Sequence, residues 1–178
     1  MPPSVTVSGR GPVTQASQTS RDTSLADEAR HVADALARAL GDCLWGVVLF
    51  GSAARGEATD ASDLDILVVA GELPEKFTSR MRQVRALVPA RLRSRTSLIA
   101  RTRDEFERAF PSYYLDLALD GVVLAEREGY MTRQLQRLRE IAQAAGLQRS
   151  RTPAGFAWRW TTRPAGHWRI DWSGVRGL

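Results

Sequence analysis

Within the run Leu64-Asp65-Ile66-Leu67-Val68-Val69-Ala70, a carboxylate occupies the second position of an otherwise apolar stretch. Burying an unpaired charge costs several kcal/mol. A chain keeps such a residue where a cation or a hydrogen-bond network answers the charge, so Asp65 constrains both the fold around it and its use. Asp63 stands two positions earlier, and positions two apart on an extended strand point the same way. A second apolar run, Leu44-Trp45-Gly46-Val47-Val48-Leu49-Phe50, precedes the pair and stops at Gly51-Ser52. Both runs are short and nearly continuous, which predicts strands buried on both faces.

Helical periodicity surrounds these strands. Leu25, Ala29, Val32, Leu36 and Leu40 share one face and predict a helix over Ser24–Leu40, with Ser24 and Asp27 as a capping pair and Gly41 as its stop. The basic stretch from Leu73 to about Pro89 is expected to be helical, and Thr96–Ala100 to be a strand. Asp104–Phe110 and Tyr113–Leu119 read as short helices separated by Pro111, and Val122–Ala125 as a strand. Tyr130–Ala145 is a helix by its pattern, with Met131, Leu135, Leu138, Ile141 and Ala142 inward and Gly146 ending it.

Near the C-terminus, Phe156, Trp158, Trp160, Trp168 and Trp172 fall at even spacing in two segments, each preceded by Pro-Ala-Gly. Period two means strand, so one β-hairpin is expected from about Phe156 to Trp172, its aromatic side against the domain. Residues 1–22 hold many Ser, Thr, Pro and Gly without periodicity and are expected to form a disordered tail. Residues 23–146 are then the α/β domain, and 147–178 an aromatic- and Arg-rich extension.

With 178 residues and 43% apolar composition, one well-cored domain is the natural size. Cys43 is the only cysteine and His31 and His167 the only histidines, which excludes a disulfide framework and a Cys-rich zinc site. No run approaches the roughly 18 to 20 apolar residues of a membrane span, so no membrane partner and a soluble, cytoplasmic setting are expected. The formal charge is +5, and 24 of 25 basic residues are Arg. Nine basic residues and no acid lie between Lys76 and Arg103, and nine Arg follow Gly129. Such segments either attract phosphates or form solvated faces.

The chemistry of the central loop follows from its residue types. Glycine after a strand lets the backbone approach a phosphate, and Ser52, opening a short helix, adds a hydroxyl and free amides. Asp63 and Asp65 can share a hard divalent cation with that phosphate. Arg55 lies between the cradle and the carboxylates. The plain alternative is a surface turn with capping carboxylates, which leaves Asp65 inside an apolar strand unexplained.

Gly51-Ser52-Ala53-Ala54-Arg55-Gly56-Glu57, with Ser62-Asp63-Leu64-Asp65-Ile66-Leu67-Val68-Val69, resembles the signature of the DNA polymerase β-like nucleotidyltransferase superfamily, especially its minimal members. The resemblance implies a mixed β-sheet flanked by helices. It implies transfer of a nucleoside monophosphate from an NTP to a hydroxyl of a protein, an RNA or a small molecule, with pyrophosphate leaving. Gly51, Ser52 and Arg55 would hold the triphosphate; Asp63 and Asp65 would be the catalytic carboxylates holding Mg²⁺ or Mn²⁺. Minimal members often act in toxin–antitoxin modules, which makes a cognate protein a natural partner. The family's third carboxylate is expected on the next strand, where this sequence has Ser97, unless Asp104 or Asp116 supplies it. The competing expectation is therefore a catalytically degenerate binding module for nucleotide, RNA or a partner protein, with the interleaved Trp and Arg residues as an RNA-stacking surface.

Overall fold

Two apolar strands lie side by side at the centre of the fold. In the computed structural model, which describes residues 13–59, 62–153 and 155–177, these are β1 (Leu44–Phe50) and β2 (Leu64–Ala70). They pair antiparallel, with β3 (Thr96–Thr102) parallel to β2 and β4 (Val122–Glu126) antiparallel to β1, giving the order β3-β2-β1-β4. The sheet is mixed and helices cover both faces. Continuous hydrophobicity belongs to the two central strands because both of their faces are covered.

Alternation along the strands sorts the core into two layers. Val47 and Leu49 of β1, with Leu64, Ile66 and Val68 of β2, face α1 (Val13–Leu40) and α3 (Phe77–Leu87). Val48, Leu67 and Val69 face α4 (Arg103–Arg108), α5 (Tyr113–Asp120) and α6 (Tyr130–Ala144). The short α2 (Gly51–Ala54) follows β1. Asp65 shares the parity of Leu67 and Val69 and so belongs to the second face.

Leu25, Ala29, Val32 and Leu36 of α1 are buried as their spacing requires. The helix nevertheless begins at Val13, not Ser24, so residues 13–22 extend it and are not a tail. No Gly or Pro interrupts Val13–Thr23, and adding residues to a helix already nucleated costs little. The Ser24/Asp27 pair lies inside the helix and caps nothing; Asp27 instead meets Arg30 at 2.7 Å. Residues 1–12 of the expected tail lie outside the described residues.

After α6 the chain forms two hairpins where one was expected. β5 (Leu147–Thr152) pairs with β6 (Gly155–Trp160), and β7 (Trp168–Asp171) pairs with β8 (Gly174–Gly177). Thr152 faces Gly155, so the first Pro-Ala-Gly turns a hairpin, whereas the second sits between hairpins. The strand β5 was missed because one of its faces carries Leu147, Arg149 and Arg151, which gives no apolar alternation. Both hairpins dock on the second face: Trp172 donates from Nε1 to Ala109 O at 2.8 Å and touches Phe106, Phe110 and Tyr114. Among the described residues, no helix is long and apolar enough to cross a membrane.

Candidate functional site

The turn from β1 into α2 is built around one carboxylate. Phe50, the last residue of β1, lies opposite Asp65 of β2. Gly51 then takes φ +75°, a left-handed conformation that favours glycine. A Cβ there would stand 2.2 Å from Asp65 Oδ2. The glycine therefore has two reasons to be glycine, and the space it leaves belongs to the Asp65 carboxylate. On the other side of β2, Ser97 of β3 is the register partner of Asp65.

Asp65 is half-buried, and burial is the largest influence raising its pKa above the usual carboxylate range. A hydrogen bond from Ser97 opposes that rise, the charge of Asp63 adds to it, and the charge of Arg55 opposes it. Asp63 is exposed, just before the strand. Two carboxylates at the mouth of the sheet, one of them desolvated, form a site that gains from a positive charge.

Gly51, Ser52, Asp63, Asp65 and Ser97 thus meet at one end of the sheet. No side chain caps the start of α2, and the Ser52 carbonyl accepts from Glu57 N at 3.0 Å, folding the following segment back over the turn. Arg55, expected at the phosphates, is held by carboxylates and a ring. Its Nη1 donates to Asp120 at 2.9 Å, its Nε to Glu57 at 2.8 Å, and its guanidinium lies 4.8 Å from the Phe156 ring centre.

Those partners went unread in the sequence. Asp120 ends α5 with 6% of its side chain exposed, held by Arg55 and, through two 2.6 Å bonds, by Arg149 of β5. Burial pushes the Asp120 pKa up, but hydrogen bonds from Arg149 and Arg55 bring it below the usual range. Asp116, one turn earlier, accepts from Trp158 Nε1 at 3.0 Å and from Arg149 at 3.3 Å. Arg151 pairs with Glu57. The available signals were the Asp116/Asp120 spacing on a helix and two Arg at strand spacing.

Neither alternative third carboxylate reaches the Asp pair by this geometry. Asp104 lies seven residues past Ser97, about 20 Å further along at strand rise, and pairs with Arg108. Asp116 is committed to Arg149 and Trp158. Among the described residues no group of three His, Cys, Asp or Glu could hold a metal ion. What is present suits a hard divalent cation: oxygen donors only, and a desolvated carboxylate seated against Gly51, with phosphate oxygens left to complete the shell.

Residues 32–119 match the nucleotidyltransferase domain family. Over 48 residues, 46% are identical to a Methanocaldococcus jannaschii protein named as a candidate protein adenylyltransferase, a match covering 27% of this chain and 33% of that protein. The chain thus spans about a third of that curated relative. A solved structure of a candidate nucleotidyltransferase from Sulfolobus solfataricus is 25% identical, with TM-score 0.48, over 68% of this chain and 95% of that one. A toxin–antitoxin complex with AMP-PNP is 20% identical, with TM-score 0.46, over 61% of this chain and 82% of that one.

Proposed function

The chain belongs to the nucleotidyltransferase domain family, and on that premise we propose that it transfers a nucleoside monophosphate from an NTP to a hydroxyl acceptor, using Mg²⁺ or Mn²⁺. The observation that carries this reading is Asp65: a desolvated carboxylate beside Asp63, facing Ser97, with its approach kept open by Gly51. The acceptor we favour is a protein, and the nucleotide ATP, by analogy with the archaeal relative's name. We take the domain to include all of α1 and to run to about residue 146, with the two hairpins as an extension.

In this reading Asp63 and Asp65 hold the cation, while the turn at Gly51 and Ser52 receives phosphate oxygens. A cation held by Asp63 and Asp65 would neutralise charge on the phosphates and on the leaving pyrophosphate. The acceptor hydroxyl gives up its proton to water, and its oxygen forms a bond to the α-phosphorus as the bond to the pyrophosphate oxygen breaks. Ser97 keeps a neutral hydroxyl on Asp65 and is a poor base at neutral pH, so slow transfer is expected. Arg55 steadies the segment following the turn and contributes positive charge near Asp65.

The Ser97 position also favours a second reading, a non-catalytic module that binds nucleotide and a partner. Incubation with each α-labelled NTP and Mg²⁺ or Mn²⁺, with candidate proteins or RNA, separates the two. Label on a protein acceptor supports the transferase; label on RNA alone moves the acceptor. Bound NTP with no transfer under any condition favours the binding module.

A further inference from the structure

The inner face of the β5–β6 hairpin changes character along its length. Its register pairs Leu147 with Trp160, Arg149 with Trp158 and Arg151 with Phe156. The hairpin is therefore apolar at its base and cationic toward its tip. That tip meets the segment between the glycine turn and the Asp pair: Arg151 pairs with Glu57, and Arg55 lies against Phe156. Three guanidinium groups, of Arg55, Arg149 and Arg151, surround the one ring at 4.8, 4.4 and 5.2 Å.

The three are not equally committed. Arg55 and Arg149 share Asp120, and their side chains are only 22% and 11% exposed. Arg151 is 67% exposed and Glu57 36%, a pair that water screens and that exchanges partners readily. Glu57 sits close to the turn, its N–H donating to Ser52 O. A triphosphate seated at that turn carries more negative charge than one divalent cation neutralises. Its terminal oxygens then need donors, and a guanidinium fits two of them at once.

We propose that Arg151 is a ligand of the triphosphate, exchanging Glu57 for phosphate oxygens when nucleotide binds. The assignment rests on the nucleotide-binding reading above, and it gives the site a residue from outside the matched span of 32–119. Glu57 holds the place that a phosphate oxygen would take. Released, it stays exposed to water at little cost, and Arg55 still holds it.

Calorimetry of the full chain with inorganic tripolyphosphate and Mg²⁺, a probe without a base, tests this on wild type, Arg151→Gln and Glu57→Gln. Arg151→Gln is expected to weaken binding about tenfold, the scale of a charge-assisted hydrogen bond. Glu57→Gln, which frees Arg151 and removes a competing charge, is expected to tighten it about two- to fivefold by the same reasoning. If the pair only fastens the hairpin to the segment, both substitutions break the same contact and weaken binding alike. That outcome, or wild-type affinity in Arg151→Gln, overturns the assignment while leaving the nucleotide site standing. A wild type that binds neither tripolyphosphate nor any NTP overturns the nucleotide-binding reading and Arg151 with it. Circular dichroism checks that both variants remain folded, as substitutions at an exposed pair allow.

Discussion

Asp65→Asn is expected to invert the order of melting temperatures between ligand-free and ligand-bound protein. Burial is the foremost cause of the raised Asp65 pKa, with the Ser97 hydrogen bond opposing it. With the folded pKa above the unfolded one, the folded chain holds the proton more tightly, and stability falls as pH rises through that window. At neutral pH the ionised side chain therefore works against the fold. Asparagine keeps the shape and an oxygen for Ser97 but removes the charge. Because the site is partly open to solvent, the gain is screened to about 1 kcal/mol or less, a rise of roughly 2–4 °C for a chain of this size. In the opposite direction, Mg²⁺ and NTP at a hundred times their dissociation constant stabilise wild type by about 2.7 kcal/mol, which the variant forgoes. Differential scanning calorimetry with and without Mg²⁺ and ATP should show the variant above wild type when empty and below it when loaded. A variant that melts lower in both conditions, or gains as much from ligand as wild type does, refutes the reasoning.

Gly51→Ala must displace the Asp65 carboxylate and strain the turn; a loss of about 1–2 kcal/mol from the left-handed conformation alone is expected, together with loss of Mg²⁺-dependent NTP binding by calorimetry. Wild-type binding in that variant would show that the close approach is incidental. Ser97→Asp adds a third carboxylate beside Asp65. It should lower the melting temperature of the empty protein, recover it with Mg²⁺, and raise the rate of label transfer by about 10²- to 10⁴-fold if a base is what the site lacks. Asp120→Asn leaves Arg55 and Arg149 without their shared charge and should cost about 3 kcal/mol in urea unfolding. Since the Asp120 pKa is lowered in the folded chain, its contribution is present above the unfolded value near 4 and is lost as pH falls below it. An acid unfolding profile unchanged in the variant would contradict that.

The central sheet was legible because its signals are local. Residues 44–50 and, apart from Asp65, 64–70 form nearly continuous apolar runs, and the structure makes both of them strands with those bounds. The shared direction of Asp63 and Asp65 followed from strand geometry, whereas Ser97 was singled out by the family resemblance, and the parallel register of β2 and β3 sets it opposite Asp65. The surroundings of Arg55 were illegible for the opposite reason. Its distant partners come from α5 and from β6, at sequence separations of 65 for Asp120 and 101 for Phe156, with nothing local to join them. Pairing between Arg149 and Asp120 turns what looks like surface sequence into an inward face, and no periodic pattern of hydrophobicity records that.

The basic stretches make the same point about charge. Between Lys76 and Arg103 the sequence offers no acid, yet the structure answers much of that charge. Arg80 is buried and forms two bonds, of 2.6 and 2.8 Å, with Glu105, and Arg95 reaches Glu28 at 3.1 Å. Arg93 donates to the carbonyls of Val88 and Ala86 at 2.9 and 2.7 Å, where the end of α3 leaves acceptors without helical partners. Arg85 donates in turn to Arg93 O at 2.7 Å. The C-terminal end of a helix carries the negative pole of its dipole, so guanidinium groups gather there without any acidic residue in the local sequence. A cationic run along the chain is therefore a statement about helix ends and distant carboxylates before it is one about nucleic acid. Of the three guanidinium groups around Phe156, those of Arg55 and Arg149 are held by the buried Asp120, and that of Arg151 by the more exposed Glu57.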